Sequence, residues 1–161
     1  TVTAWFANNP SIKSSVTFKK LETIQTEVIY ASSEEVDDGD AKNLVDGDPT
    51  TYWHSMYSVT VAKYPHWVDL DAGEVKTIKG FTYMPRQDSY NGNIKEYSIH
   101  VSMDGKNWGE PVQKGTFAGN RDEKKVIFSQ PVKGRYIRFT ALSEQYGQDY
   151  ASGAELTILA E

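Results

Sequence analysis

From Val28 onward the sequence breaks into short runs of β-branched, aromatic and aliphatic residues, divided by turn residues at intervals of roughly eight to fifteen positions, and helix signals are nearly absent. That rhythm restricts the chain to an all-β sandwich or barrel, because such short segments bury enough apolar surface only when several stack face to face. The clearest run, Tyr97-Ser98-Ile99-His100-Val101, sets Tyr97, Ile99 and Val101 on one face and Ser98 and His100 on the other, as a half-buried strand requires. Residues 135–140 and 156–159 alternate in the same way, and residues 67–70 and 78–83 supply further strands. Asn91-Gly92 and Asp104-Gly105 offer the positive-φ positions of tight turns. Trp53, Trp67 and Trp108 are expected in the core, where large aromatics at strand ends pack. His66 and His100 read as structural.

With 161 residues, 39% of them hydrophobic, the chain can bury one sizeable core and has no room for a second full domain. Residues 1–27 read differently from the rest: Asn8-Asn9-Pro10-Ser11 is a turn or linker signal, and residues 17–27 carry no clean period. They are expected to be a leader, a linker or the end of a preceding domain, with the domain proper spanning residues 28–161. The net charge of -5 and the dispersal of Lys and Arg argue against nucleic acid, which is met by a concentrated basic footprint. There is no apolar run of about 18 residues to span a membrane, and the opening Thr1-Val2-Thr3 is no signal peptide, so a piece of a longer protein is expected. Lack of cysteine removes disulfides, thiolate zinc sites and a cysteine nucleophile. The G-x-S-x-G elbow, H-E-x-x-H and a Gly-rich phosphate loop are missing too. Paired carboxylates for glycoside hydrolysis remain among 22 acids, but the length leaves little room for a catalytic cleft, and no enzymatic activity is expected.

Several blocks fall in a telling order: Ala31-Ser32-Ser33, Asn43-Leu44-Val45-Asp46-Gly47-Asp48-Pro49-Thr50-Thr51-Tyr52-Trp53-His54-Ser55, Trp67-Val68-Asp69-Leu70, Met84-Pro85-Arg86-Gln87-Asp88, Asn91-Gly92-Asn93-Ile94, Ser102-Met103-Asp104-Gly105-Lys106-Asn107-Trp108, Arg135-Tyr136-Ile137-Arg138 and Ala154-Glu155-Leu156. Over residues 28–160 the chain closely resembles the coagulation factor type C, or discoidin, superfamily and, within it, the family 32 carbohydrate-binding modules. The resemblance implies an antiparallel jelly-roll β-sandwich of the galactose-binding-domain type. That fold hosts sugar, lipid and protein binders alike.

The turn from Asn43 to Thr51 packs Asp46, Asp48, Thr50 and Thr51 so that carboxylate, hydroxyl and carbonyl oxygens converge, which suits a hard cation. Calcium fits better than magnesium because it tolerates irregular oxygen cages, and the EF-hand spacing is not met. The alternative is an acidic turn whose carboxylates cap backbone N–H groups. The resemblance implies a structural Ca2+ site closed by the last strand: backbone oxygens of Asn43, Asp48, Thr51 and Ala154 with side chains of Asp46, Thr51 and Glu155.

A neutral monosaccharide needs a few fixed polar groups and one aromatic wall. His54 can present a ring nitrogen, Arg86 a planar fork for two adjacent oxygens, and Asn91 a donor and an acceptor. The resemblance assigns these three to recognition of galactose, whose axial O4 lies beside O3 within reach of a His and an Arg. The wall is open among Tyr57, Tyr146 and Tyr150, and an acidic contact among Glu35, Asp37 and Asp38. Each residue also has a plainer reading: His54 as a hydrogen-bonded structural histidine, Arg86 as the ion-pair partner of Asp88, Asn91 as a turn residue.

The expected function is thus a non-catalytic module that holds terminal galactose or N-acetylgalactosamine on complex glycans. It would act as a monomeric unit of a larger glycan-active protein, secreted or at the bacterial cell surface or periplasm. The alternative is a discoidin-type adhesion module for protein or lipid. Against lipid, the loops Ser55-Met56-Tyr57-Ser58 and Gln87-Asp88-Ser89-Tyr90-Asn91 lack apolar spikes flanked by basic residues, so membrane insertion is not expected.

Overall fold

The computed structural model describes residues 2–5, 13–16 and 19–161. Among the described residues eleven strands occur in chain order: β1 (Val2–Trp5), β2 (Lys13–Val16), β3 (Glu22–Ile24), β4 (Glu27–Ala31), β5 (Trp53–His54), β6 (His66–Met84), β7 (Glu96–Ser102), β8 (Gln113–Thr116), β9 (Lys124–Ala141), β10 (Ser152–Gly153) and β11 (Glu155–Ala160), with one 3-10 turn at Ala41–Val45. The all-β, antiparallel sandwich implied by the sequence is what forms.

Its two layers share two long strands. Hydrogen bonding runs β3-β11-β6-β9-β7-β8, with β4 on the free side of β6. The β6–β9 register breaks between Asp71 and Lys76, which splits each long strand in two. The first half of β6 pairs with β4 and with residues 136–141 of β9, which pair in turn with β7. The second half pairs with β11 and with residues 124–134 of β9. Aromatic side chains fill the space between the layers. Phe81, from the second half of β6, lies 5.4 Å from Tyr97 of β7 and 5.9 Å from Phe139 of β9, and Tyr83 stacks on Phe139 at 5.8 Å. Burying each such ring contributes about 1.5–3 kcal/mol.

Within residues 1–27, read as a leader, a linker or the end of a preceding domain, β3 joins the main sheet, where Ile24 pairs with Ile158 and packs on the core. Strands β1 and β2 pair with each other, while the turn signal at residues 8–11 lies outside the described residues. One expectation is corrected by the core. Trp53 is in the core, but Trp67 and Trp108 are not. Trp67 alternates with the inward Val68 and so faces outward. There Trp67 and Trp108 flank the Arg138 guanidinium, at 5.4 and 4.4 Å, and Arg138 is paired through two hydrogen bonds with Asp69.

Candidate functional site

The short pairing of β5 with β10 aims the first functional side chain. Trp53 anchors in the core and donates its Nε1–H to the Ser33 carbonyl at 2.9 Å, so alternation turns its neighbour His54 the other way. His54 is only 2% exposed and lines a cleft of about 250 Å³ with Tyr57, Arg86, Asn91 and Tyr150. Gly39 lets the loops close on it, because a Cβ there would lie 2.7 Å from the His54 Cβ.

The chemistry of each wall follows from its partners. His54 Nδ1 is 2.7 Å from the Ser55 carbonyl. A carbonyl only accepts, so Nδ1 carries the proton and Nε2 is left as an acceptor. Burial lowers the His54 pKa, which keeps the ring neutral at pH 7. Arg86 stacks on Tyr52, its guanidinium carbon 3.7 Å from the ring centroid. It donates from Nε and Nη2 to Asp88 at 2.6 and 3.1 Å, so the plainer reading of Arg86 also describes it. Burial opposes its charge, but Asp88, Tyr52 and Asp38 outweigh that and raise its pKa. Asn91 is held by its backbone, N–H to Ser89 Oγ and carbonyl from the Ser152 hydroxyl, and among the described residues nothing engages its side-chain amide.

Of the three candidate tyrosines, two reach the cleft. Tyr57 meets His54 edge-on at 4.9 Å and Tyr150 lies 5.3 Å from it. Tyr146 does not line the cleft; it packs edge-on against Tyr90 at 6.2 Å. Asp38 stands behind the wall instead of in it, accepting from the Tyr57 hydroxyl at 2.5 Å and from the Tyr52 hydroxyl at 3.4 Å. That bond to Asp38 pushes the Tyr57 pKa up to about 12. Glu35 is structural, with its carboxylate accepting from the backbone of Tyr57 and Ser58 and from the Ser58 hydroxyl. Asp37 is in a turn at φ 68°. Sequence reasoning missed Tyr52, since its role depends on Arg86, remote in the chain; His66, read as structural, donates its Nε2–H to the Asp149 carbonyl and fixes the loop that carries Tyr150.

The acidic turn lies elsewhere on the domain, against β11. Thr51 donates its hydroxyl to Asp46 Oδ2 at 2.7 Å and lies 3.0 Å from the Asp48 carbonyl. Asp48 Oδ1 accepts from the Thr50 N–H and hydroxyl, and the Asp48 carbonyl accepts from the Thr51 N–H at 3.1 Å. Glu155 faces Asp46, and burial, then that facing carboxyl, pushes its pKa up to about 7. Its Oε1 is buried without a partner. Among the described residues no three His, Cys, Asp or Glu side chains gather for a metal. Two facing carboxyls, an orphaned buried oxygen and adjacent carbonyl and hydroxyl oxygens nevertheless fit a calcium ion, which draws on carbonyls as readily as carboxylates. The holders would be Asp46, Thr51, Glu155 and the backbone oxygens of Asn43, Asp48 and Ala154.

Residues 28–156 match the family model of the F5/8 type C domain. Over 156 residues, 94% of this chain, the sequence is 39% identical to a sialidase of Micromonospora viridifaciens, and it spans 24% of that relative's length. Among solved structures, CpGH89CBM32-5 from Clostridium perfringens, in complex with GalNAc-β-1,3-galactose, superposes with a TM-score of 0.79 at 31% identity, covering 85% of this chain and 99% of that one. The family 32 carbohydrate-binding module of NanJ from the same organism, in complex with galactose, gives a TM-score of 0.77 at 26% identity, covering 87% and 99%.

Proposed function

Because the chain belongs to the F5/8 type C domain family and is a carbohydrate-binding module, we propose that the cleft of His54, Tyr57, Arg86, Asn91 and Tyr150 holds a terminal galactose or N-acetylgalactosamine without catalysis. The carrying observation is the complementarity of its donors and acceptors. A neutral His54 with Nε2 left as an acceptor, the remaining donors of Arg86 and the unengaged amide of Asn91 surround a space walled by two tyrosines. A galacto-configured sugar presents O3 and the axial O4 side by side, so His54 can accept from one hydroxyl while Arg86 donates to both. Its apolar C–H face would lie on Tyr57 or Tyr150. A single sugar makes few contacts, so affinity is expected at roughly millimolar to tens of micromolar. Weak binding becomes useful through attachment: the module would hold a larger, secreted or cell-surface glycan-active protein near its substrate by raising effective concentration. A structural calcium at Asp46, Thr51 and Glu155 would tie the loop before β5 to β11.

The test is an NMR titration of galactose, N-acetylgalactosamine and glucose against the native chain and against His54→Ala and Arg86→Ala. Galacto-sugars should bind, glucose should not, and both substitutions should abolish binding while the fold is retained. Equal binding of glucose, or no sugar binding at all, would overturn the assignment.

A further inference from the structure

Beside the cleft lies a patch that neither the core nor the proposed sugar contacts use. Tyr90 and Tyr146 are 45% and 60% exposed and meet edge-on at 6.2 Å. Arg121 places its guanidinium carbon 4.6 Å over the Tyr90 ring. Three links join this patch to the cleft. Tyr90 precedes the cleft residue Asn91; Tyr146 shares a loop with Tyr150; and Gln87, next to Arg86, accepts from Arg121 Nη1 at 2.5 Å and donates back to the Arg121 carbonyl at 3.0 Å.

The patch is held stiffly. Glu144, itself buried, accepts from the Tyr146 and Gln148 N–H groups at 2.7 and 3.0 Å. Gln145 ties the same loop to the carbonyls of Ile94 and Phe117. An exposed aromatic pair on a rigid loop is a ready stacking surface.

Arg121 is the odd one among the four arginines of the chain. Arg86, Arg135 and Arg138 each make two hydrogen bonds to one aspartate, Asp88, Asp71 and Asp69. Arg121 forms no such pair among the described residues, and its side chain makes one hydrogen bond, from Nη1. Its Nε and Nη2 donors are therefore open, in the fork that matches a carboxylate.

We propose that Tyr90, Tyr146 and Arg121 form a second subsite for the sugar residue next to the terminal one in the same glycan, with Tyr146 stacking on its ring and Arg121 binding a carboxylate it carries. The inference rests on the galacto-sugar reading of the cleft. It makes the preferred ligand an acidic oligosaccharide instead of a lone monosaccharide.

The experiment is a calorimetric and NMR titration with four probes: methyl β-galactoside, lactose, lactitol and lactobionate. The last two share a galactosyl polyol skeleton and differ in a CH2OH against a carboxylate. Lactobionate should bind about five-fold more tightly than lactitol, the gap of an exposed ion pair, and lose that gap in Arg121→Gln and at high salt. Lactose should bind more tightly than methyl β-galactoside, and Tyr146→Ala should bring the two together without altering the methyl galactoside. If methyl β-galactoside binds but lactobionate and lactitol are equal, or the gap survives Arg121→Gln, the second subsite is wrong and the cleft assignment stands. If methyl β-galactoside does not bind and the His54 signals do not move, both fall together.

Discussion

Replacing Gly92 by alanine separates backbone strain from steric conflict at the base of the cleft. Gly92 has φ 77°, and a Cβ there would lie 2.7 Å from the Ser152 nitrogen and 2.8 Å from the Ala151 carbonyl carbon. The left-handed conformation alone costs alanine about 1–2 kcal/mol, partly offset by about 0.4–1 kcal/mol from the less flexible unfolded chain. Gly73, at φ 78° with nothing within 4 Å of its Cβ, isolates that contribution. At Gly92 the backbone of residues 151–152 must also move. That stretch carries Ser152 N–H to the Gly92 carbonyl at 2.9 Å, Ser55 N–H to the Ala151 carbonyl at 2.8 Å and Ala151 N–H to Ser55 Oγ at 3.0 Å. Loosening the three bonds, at about 0.5–1 kcal/mol each, adds about 2 kcal/mol, so Gly92→Ala should lose about 3 kcal/mol against about 1 kcal/mol for Gly73→Ala. For a domain of this size that is a fall in Tm of about 6–12 °C against about 2–4 °C, read by circular dichroism melts. Asn91 shares the turn and accepts from Ser152, so ligand affinity should fall in Gly92→Ala and hold in Gly73→Ala. Equal melting points for the two variants would refute the close approach of β10 and with it the placement of Asn91.

Three further outcomes are expected. His54 is neutral because burial depresses its pKa below the ordinary 6.5; as pH falls below 6.5 the unfolded chain takes up its proton first, so the stability from a neutral His54 is present above 6.5 and lost as pH falls through the lowered folded value. Imidazole NMR shifts should therefore inflect below pH 6.5, sugar affinity should fall through the same range as Nε2 is protonated, and an inflection at or above 6.5 would contradict the buried placement. Calcium at about a hundred times its dissociation constant should stabilise the fold by about 2.7 kcal/mol over chelator, a gap in Tm that Asp46→Ala removes; identical melts in calcium and chelator would sink the site. Phe81→Ala empties the centre of the aromatic core and should cost about 3–5 kcal/mol in urea titration, where a loss under about 1 kcal/mol would mean that the layers do not meet there.

The sheet was legible where its period was clean. Ile137 and Phe139 are buried and alternate with Tyr136 and Arg138, as the sequence implies, and Asn91-Gly92 and Asp104-Gly105 turn with φ 77° and 69° at their glycines. The bend that makes two layers from β6 and β9 was not legible, since the register break between Asp71 and Lys76 is marked by a single glycine, Gly73 at φ 78°, and depends on pairing with strands remote in the chain. Within the cleft, His54, Arg86 and Asn91 could be named because each sits in a motif block. The wall could not be fixed: Tyr57, Tyr146 and Tyr150 are alike as letters, and only the loop anchored by Glu144 and His66 turns Tyr150 toward His54 and Tyr146 toward Tyr90.

The hydrogen bonds behind the cleft imply that its contacts are coupled. Asp38 accepts from both Tyr57 and Tyr52, Tyr52 carries Arg86 on its face, and Arg86 is turned by Asp88. The aromatic wall and the cationic grip therefore hang from one exposed carboxylate that does not line the cleft. Loss of Asp38 would free the Tyr57 ring and the platform under Arg86 at once, so its effect on sugar affinity should exceed that of removing either tyrosine hydroxyl alone. A double-mutant cycle over Tyr52→Phe and Tyr57→Phe would measure that coupling: additive losses equal to the Asp38→Asn loss would mean two independent walls, whereas a larger loss for Asp38→Asn would mean that the carboxylate organises both. The loop from Glu34 to Asp40 also forms the approach to the Asn43–Thr51 turn, with Ala41 donating its N–H to Glu34 at 2.8 Å and Asn43 its N–H to the Asp40 carbonyl at 3.1 Å. A cation that ordered that turn would therefore also bear on the carboxylate behind the cleft, which gives the proposed calcium a physical link to the proposed sugar site.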